Sequence, residues 1–429
     1  MGKTAAYNMI RYRNFASESS QNLAYKLLMF LVWPFGTWLY SLKSANTYSS
    51  YVIFFLFSLL LCWHMSPAGL TTTYDDFLGI LERFEEFQVY DTWEQIIAYF
   101  TLADDAPKEI YEILLMWFSK TLFGENYHFY FLLASIPVAF CQLKSLNYIT
   151  KDEKYISGSL LSFFVIAMFI FPRDIITVQN PRFTTGFWIN VMATLGFFLG
   201  KRKLLYAVLI LSTPLIHSGF WVYVILFCLG FLIVRFPIRK LETILLVSLP
   251  FVFFNTNLLD GINLDFDFLP NTLNRWIQGY TSNESYAEYI LHEGKAGFWW
   301  VGAFFEISLH IVYILMMYQI VKQQRAQSSE LNHNLYGFLL WLFICVNMMQ
   351  FLPVVGERYY WFTRVFCIFL WFKIVYPNHS RTLLGLVLVC CWFMLRRYGY
   401  IFGGALACNT PPDIFCMPLP YLVGKGLFW

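Results

Sequence analysis

The sequence predicts an all-α protein that crosses a lipid bilayer about eleven or twelve times. Three observations carry this. Of 429 residues, 58% are hydrophobic and only 13% charged, against roughly half apolar and a quarter charged in soluble domains. Aromatic residues make up 21%, an excess that suits lipid-facing helices with Trp and Tyr at their interfaces. Apolar blocks near span length recur through almost the whole chain, separated by short loops that alternate in Lys and Arg content. The length alone would allow two or three soluble domains. The continuity of the apolar blocks points instead to one membrane domain over 50–396, preceded by a basic segment (1–49) and followed by a tail (397–429). The net charge of +3 is small and no long basic tract occurs, so nucleic acid is not an expected partner.

Spans are expected near 50–65, 127–143, 156–176, 183–200, 203–217, 219–234, 241–254, 297–320, 335–352, 360–374 and 382–396. The run 27–42 contains Pro34 and ends at Lys43; it reads equally as an interfacial helix, a re-entrant segment or a twelfth span. No cleavable signal peptide is expected, because the first apolar run lacks a small-residue cleavage site. Lys144, Lys151 and Lys154, then Lys201, Arg202 and Lys203, then Arg235, Arg239 and Lys240, then Lys322 and Arg325, then Lys373 and Arg381 fall at every second loop. That places those loops on the cytoplasmic side.

The opposite face carries two long loops, 66–126 and 255–296. The first holds twelve acidic and three basic residues. Within it, Pro107-Lys108-Glu109-Ile110 opens an apolar stretch through Phe118. Proline at the first helical position and an acidic first turn predict a helix start there, in a helix lying on the outer membrane surface. Seven of the nine cysteines sit in apolar runs and read as small core residues. Cys408 and Cys416 lie in the tail, as a local disulfide or as two thiols.

The informative residues break the positive-inside bias. Arg173 and Arg182 flank the turn before the fourth span, His217 ends the fifth, and Arg275 lies in the second outer loop. Arg358 begins the tenth span, and Arg364 follows six residues on, roughly 9 Å deeper. A cation inside a span costs about 2.5–3.5 kcal/mol on insertion scales. A single arginine near a helix end commonly snorkels to headgroups or joins a structural ion pair. Several from different spans on one face point to an anion, and the planar guanidinium suits a diphosphate. A histidine in an apolar helix is more often a packing residue; His217, at the arginine-rich face, is a candidate for proton transfer. Asp75 and Asp76 are usually just solvated as a pair, but adjacency allows one raised pKa, so either is a candidate base. Tyr359, Tyr360 and Trp361 are candidates to stack on sugar faces or line a lipid groove.

These pieces, in this order, resemble the EpsG family of bacterial exopolysaccharide polymerases, related to the Wzy polymerases. Tyr74-Asp75-Asp76-Phe77 through Tyr130, with Glu109-Ile110-Tyr111-Glu112-Ile113-Leu114-Leu115, is similar to that family's first outer loop. Asn180-Pro181-Arg182-Phe183-Thr184-Thr185-Gly186-Phe187 resembles its arginine-bearing helix start, Ile216-His217-Ser218-Gly219 its His-Ser helix end, and Glu357-Arg358-Tyr359-Tyr360 its late Arg-Tyr element. The sequence departs from the pattern at Pro181 and at Pro172-Arg173. The resemblance implies a GT-C-like fold in a bacterial inner membrane, with the active site and the tail facing the periplasm or exterior. It implies a metal-independent glycosyl transfer from a polyprenyl-diphosphate-linked oligosaccharide donor to a lipid-linked acceptor, lengthening a surface polysaccharide of the O-antigen type. Arg182, His217, Arg358 and Asp76 or Asp75 would be catalytic. Arg173, Arg275, Tyr359, Tyr360, Arg364, Asn180 and Ser218 would bind substrate. A chain-length regulator and a flippase would be its partners, and no cofactor is implied. The rival readings are a flippase for the same lipid-linked sugar, an O-antigen ligase and a membrane acyltransferase of exported glycans.

Overall fold

The computed structural model describes residues 15, 18–64, 76–102, 109–151, 166–167, 169–170, 180–233, 235–253, 299–326, 332–375 and 411–428. Every regular element among them is helical, as the sequence predicts. The chain divides into two compact units, one of Met1–Val224 with Met394–Trp429 and one of Ile225–Phe393. The N-terminal segment and the tail fall in the same unit as the helices up to residue 224.

The first unit opens with α1 (Ser20–Val32) and α2 (Pro34–Leu42), broken at Trp33, whose backbone is non-helical ahead of Pro34. The pair is therefore a helical hairpin and not one continuous span. The Lys26 ammonium, in mid-α1, donates to Ser44, Ser49 and Ser50 at 2.7–3.0 Å. Glu18 accepts from the Ser49 N–H at the start of α3 (Tyr48–Trp63). Both ends of the hairpin are thus held at one end of α3, while its tip packs Phe35 on Phe57, two turns up α3. In the tail, α15 (Pro411–Cys416) and α16 (Leu419–Phe428) return to this hairpin. Phe415 meets Phe35 edge-on, and its carbonyl accepts from the Trp33 indole at 2.6 Å. Cys416 is an exposed free thiol; Cys408 lies outside the described residues.

Between α3 and the tail come α4 (Asp76–Phe87), α5 (Trp93–Leu102), α6 (Ile110–Phe123), α7 (Tyr127–Thr150), α8 (Pro181–Leu199) and α9 (Lys203–Ser212). α6 begins later than Pro107 suggested: Glu109 is its N-cap and Ile110 its first residue. α7 is the central packing element, contacting α3, α6 and α8. Its buried face mixes apolar residues such as Phe131, Val138 and Leu146 with Gln142, Ser145, Asn147 and Thr150, while Ile136 and Phe140 are exposed. α8 likewise buries Thr184, Thr185, Asn190 and Thr194, and Thr194 bonds the Tyr223 hydroxyl at 2.7 Å. α9 does the reverse on its outer side. Leu204 (80% accessible), Val208, Leu211 and Leu215 recur at helical spacing and are all exposed. After α9, 3-10 turns at Thr213–Leu215 and Ser218–Phe220 bracket His217. α10 (Trp221–Ile233) follows.

The second unit holds the rest of α10 with α11 (Ile238–Ser248), α12 (Trp299–Ala326), α13 (His333–Met349) and α14 (Pro353–Ile374). α13 packs on α11 and α14. Polar groups are again inside: buried Glu242 accepts from the Tyr336 hydroxyl at 3.1 Å and from Arg325 at 2.7 Å. Ile307, Ile311, Leu315 and Tyr318 form an exposed stripe on α12.

Among the described residues, α7 is the one helix both long and apolar enough to cross a bilayer, with a mean hydropathy of 1.5. Tyr48–Trp63, Lys203–Leu215, Ser218–Ile233 and His333–Met349 are apolar but shorter. The expected span at 382–396 and nearly all of that at 156–176 lie outside the described residues.

Candidate functional site

The polar cluster of the first unit is built from four helix ends. The backbone at Glu109 is extended, and its side chain does not cap α6. The carboxylate therefore turns away from its own helix. It reaches the start of the helical run Ser218–Ile233, where the Ser218 N–H donates to Oε1 at 3.1 Å and the Ser218 hydroxyl donates at 3.3 Å. An anion at a helix N-terminus is favoured by the unpaired N–H groups there. The same oxygen accepts from His217 Nδ1 at 2.5 Å. Oε2 lies 2.8 Å from Arg182 Nη1.

Arg182 stands one residue into α8, after Asn180 caps the helix by accepting from the Phe183 N–H and Pro181 fills the first position. A cation there opposes the helix dipole. Two carboxylates offset this, because Arg182 Nε also sits 3.1 Å from Glu112 Oε2. Glu112 follows Glu109 by three residues, so both acids share one side of α6. Glu112 Oε1 in turn accepts from Arg83 Nε and Nη2 at 3.2 and 3.0 Å. The result is an alternating chain of basic and acidic side chains, His217, Glu109, Arg182, Glu112 and Arg83. Both glutamates are almost fully enclosed, with side chains 7% and 4% accessible.

Burial by itself would raise the pKa of Glu109. The hydrogen bond from His217 and its electrostatic attraction, the Arg182 guanidinium and the Ser218 N–H outweigh it, holding the carboxyl down at about 2. Burial pushes the Tyr111 phenol up to about 12, and Tyr111 bonds Thr185 of α8 at 3.1 Å. The Tyr130 ring is fully buried, with no hydrogen-bond partner for its hydroxyl among the described residues. Aromatic rings wall the histidine: Phe183 and Phe220 meet it edge-on at 5.7 and 5.9 Å and stack on each other. Phe220 lies so close to Gly186 that a Cβ there would stand 2.1 Å from its ring.

Of the residues singled out from the sequence, the first unit joins Arg182, His217 and Ser218 through Glu109, with Asn180 beside them as the α8 cap. Arg182, expected as a cation facing a diphosphate, has two carboxylate neighbours. Asp76 is the first residue of α4. Asp75, Arg173 and Arg275 lie outside the described residues. The second unit carries the others on α14. Arg358 is half-buried, and Tyr359 and Tyr360 are buried. Arg364 lies over the rings of Tyr360 and Trp361 at 4.5 and 4.6 Å. The Tyr360 hydroxyl pairs with His310 Nδ1 at 2.9 Å.

Sequence reasoning assigned no role to Glu109, Glu112, Arg83 or His310. The glutamates were masked by the favourable acidic first turn that the sequence already explained. Arg83 and His310 become legible only through their partners. No protein-family model, curated protein or solved structure matches the chain.

Proposed function

We propose that the chain is a multi-pass membrane glycosyltransferase of the exopolysaccharide-polymerase type. It would move an oligosaccharide from a polyprenyl diphosphate to a lipid-linked acceptor at the outer face of a bacterial inner membrane. The observation that carries the reading is the buried His217–Glu109–Arg182–Glu112 chain, formed where the sequence places the outer ends of the spans.

The membrane setting is supported by polar side chains among the helices and aliphatic stripes outside them. α7 and α8 turn hydroxyl and amide side chains inward, while α9 and α12 turn aliphatic stripes outward. Contiguous apolar surface on this scale is uncommon on soluble monomers, and polar side chains facing a bundle interior are the rule in lipid. The short helical run Lys203–Leu215 spans roughly 20 Å of a hydrocarbon core of about 30 Å. Entered from the cytoplasmic side, it sets His217 below the outer surface, where charge–charge interactions are strong and water is scarce.

Within this reading His217 handles the proton of the transfer, and Arg182 holds the two glutamates in register. The resemblance gives Arg358, in the second unit, the role of binding the donor diphosphate. Incubating purified protein with a lipid-linked repeat unit should give a ladder of longer polymers on a gel. Sugar moved to lipid A would favour ligase, and no covalent change would favour a flippase. Arg182→Ala leaves two buried carboxylates facing each other, at a cost of about 3–5 kcal/mol; it should abolish the ladder and lower thermal stability. Arg358→Ala should abolish the ladder while leaving the protein's membrane level unchanged. Full ladders from both variants would remove these assignments.

A further inference from the structure

We infer that Glu109 is the positioning residue that fixes His217 in a single tautomer, so that the histidine's Nε2 takes the proton of the acceptor hydroxyl. The inference rests on the glycosyltransferase reading for its substrate, but its geometry stands apart from it. Ionised Glu109 can only accept hydrogen bonds. Its Oε1 is 2.5 Å from His217 Nδ1, so the ring proton belongs on Nδ1 and the lone pair on Nε2. The carboxylate is itself fixed from three further sides, by the Ser218 N–H, the Ser218 hydroxyl and the Arg182 guanidinium. Phe183 and Phe220 confine the ring plane. An imidazole oriented in this way by a carboxylate is the usual arrangement of a base that accepts a proton from a hydroxyl.

The step balances as follows. The acceptor oxygen bonds to the anomeric carbon of the donor sugar while its proton passes to Nε2. The bond from that carbon to the phosphate oxygen breaks, and its electron pair leaves on the polyprenyl diphosphate. Nε2 then returns its proton to the leaving phosphate oxygen or to water. Asp75 and Asp76 are not needed as the base. Glu109, from the start of α6, is the charged group bonded to the ring; Arg182 of α8 holds its other oxygen, with Glu112 and Arg83 behind.

The test uses the full chain in lipid nanodiscs, with its histidines labelled with 15N. His217→Asn identifies the His217 resonances by their loss. Under alkaline conditions wild-type His217 should show a protonated Nδ1 and an unprotonated Nε2; the opposite tautomer overturns the inference, with no substitution at Glu109 required. In the ladder assay Glu109→Gln should lower kcat by about 10²–10⁴-fold, the usual contribution of a positioned proton acceptor, with KM within about threefold. Glu109→Asp should recover part of the loss. A kcat for Glu109→Gln within threefold of wild type overturns the positioning role. Wild-type protein that makes no polymer at all overturns the substrate and the polymerase reading, and the tautomer then decides the pairing alone.

Discussion

Glu109 concentrates the chemistry of the first unit in one carboxylate, and its ionisation has a measurable consequence. The folded state holds it at about 2, below the ordinary carboxylate range. A depressed pKa stabilises the fold above the unfolded value and loses that stabilisation as pH falls through the folded one. The window therefore runs from about pH 4.5 down to about pH 2. Thermal midpoints in detergent should fall steeply across this window, and Glu109→Gln should flatten that part of the curve. A wild-type slope retained in the variant would assign the acid sensitivity elsewhere. At this scale Arg182 and His217 were legible because a cation and an imidazole at apolar helix ends are costly and need a reason. Glu109 was hidden because an acid near a helix start has a local explanation, the favourable first turn. The structure shows its side chain bonded elsewhere.

At the scale of elements, local signals placed helix starts within two or three residues. α8 begins at Pro181, two residues before the expected span at 183–200, because Asn180 caps it with its side chain and proline suits the first turn. The proline signal at Pro107 put the start too early, since α6 runs from Ile110 with Glu109 as its cap. The run around Pro34 was undecidable from apolar length alone; the non-helical backbone at Trp33 and the anchoring of Lys26 beside α3 make it a hairpin. The contact between α8 and the turn after His217 is equally invisible in sequence, being set by a missing side chain. Gly186→Ala would place a methyl 2.1 Å from the Phe220 ring. The ring must move, costing about 1–3 kcal/mol as other overpacked cores do, and its motion disturbs His217 behind it. The expected result is a lower thermal midpoint together with lost polymer growth. Unchanged stability would mean that the two helices separate without penalty.

On the scale of the whole molecule, the all-helical class follows directly from composition and apolar periodicity, whereas the two-unit division and the return of the tail to α1 and α2 do not. Long-range contacts of this kind leave no local pattern to read. The membrane reading makes its sharpest demand on α7, whose 24 residues extend about 36 Å. Its two ends should lie in different compartments. With nine native cysteines as background, an impermeant thiol reagent should label Glu125→Cys on intact cells and Lys151→Cys only after permeabilisation. Equal labelling of both would place α7 on one side of the membrane. The bond from Trp33 to the Phe415 carbonyl joins residues 382 apart, and that separation bears on how the chain is made. At about 5–20 residues per second on the ribosome, the amino-terminal hairpin waits on the order of twenty seconds or more for the strap that closes over its tip. During that interval the indole lacks its final acceptor, so biogenesis of this corner is completed after translation of nearly everything else.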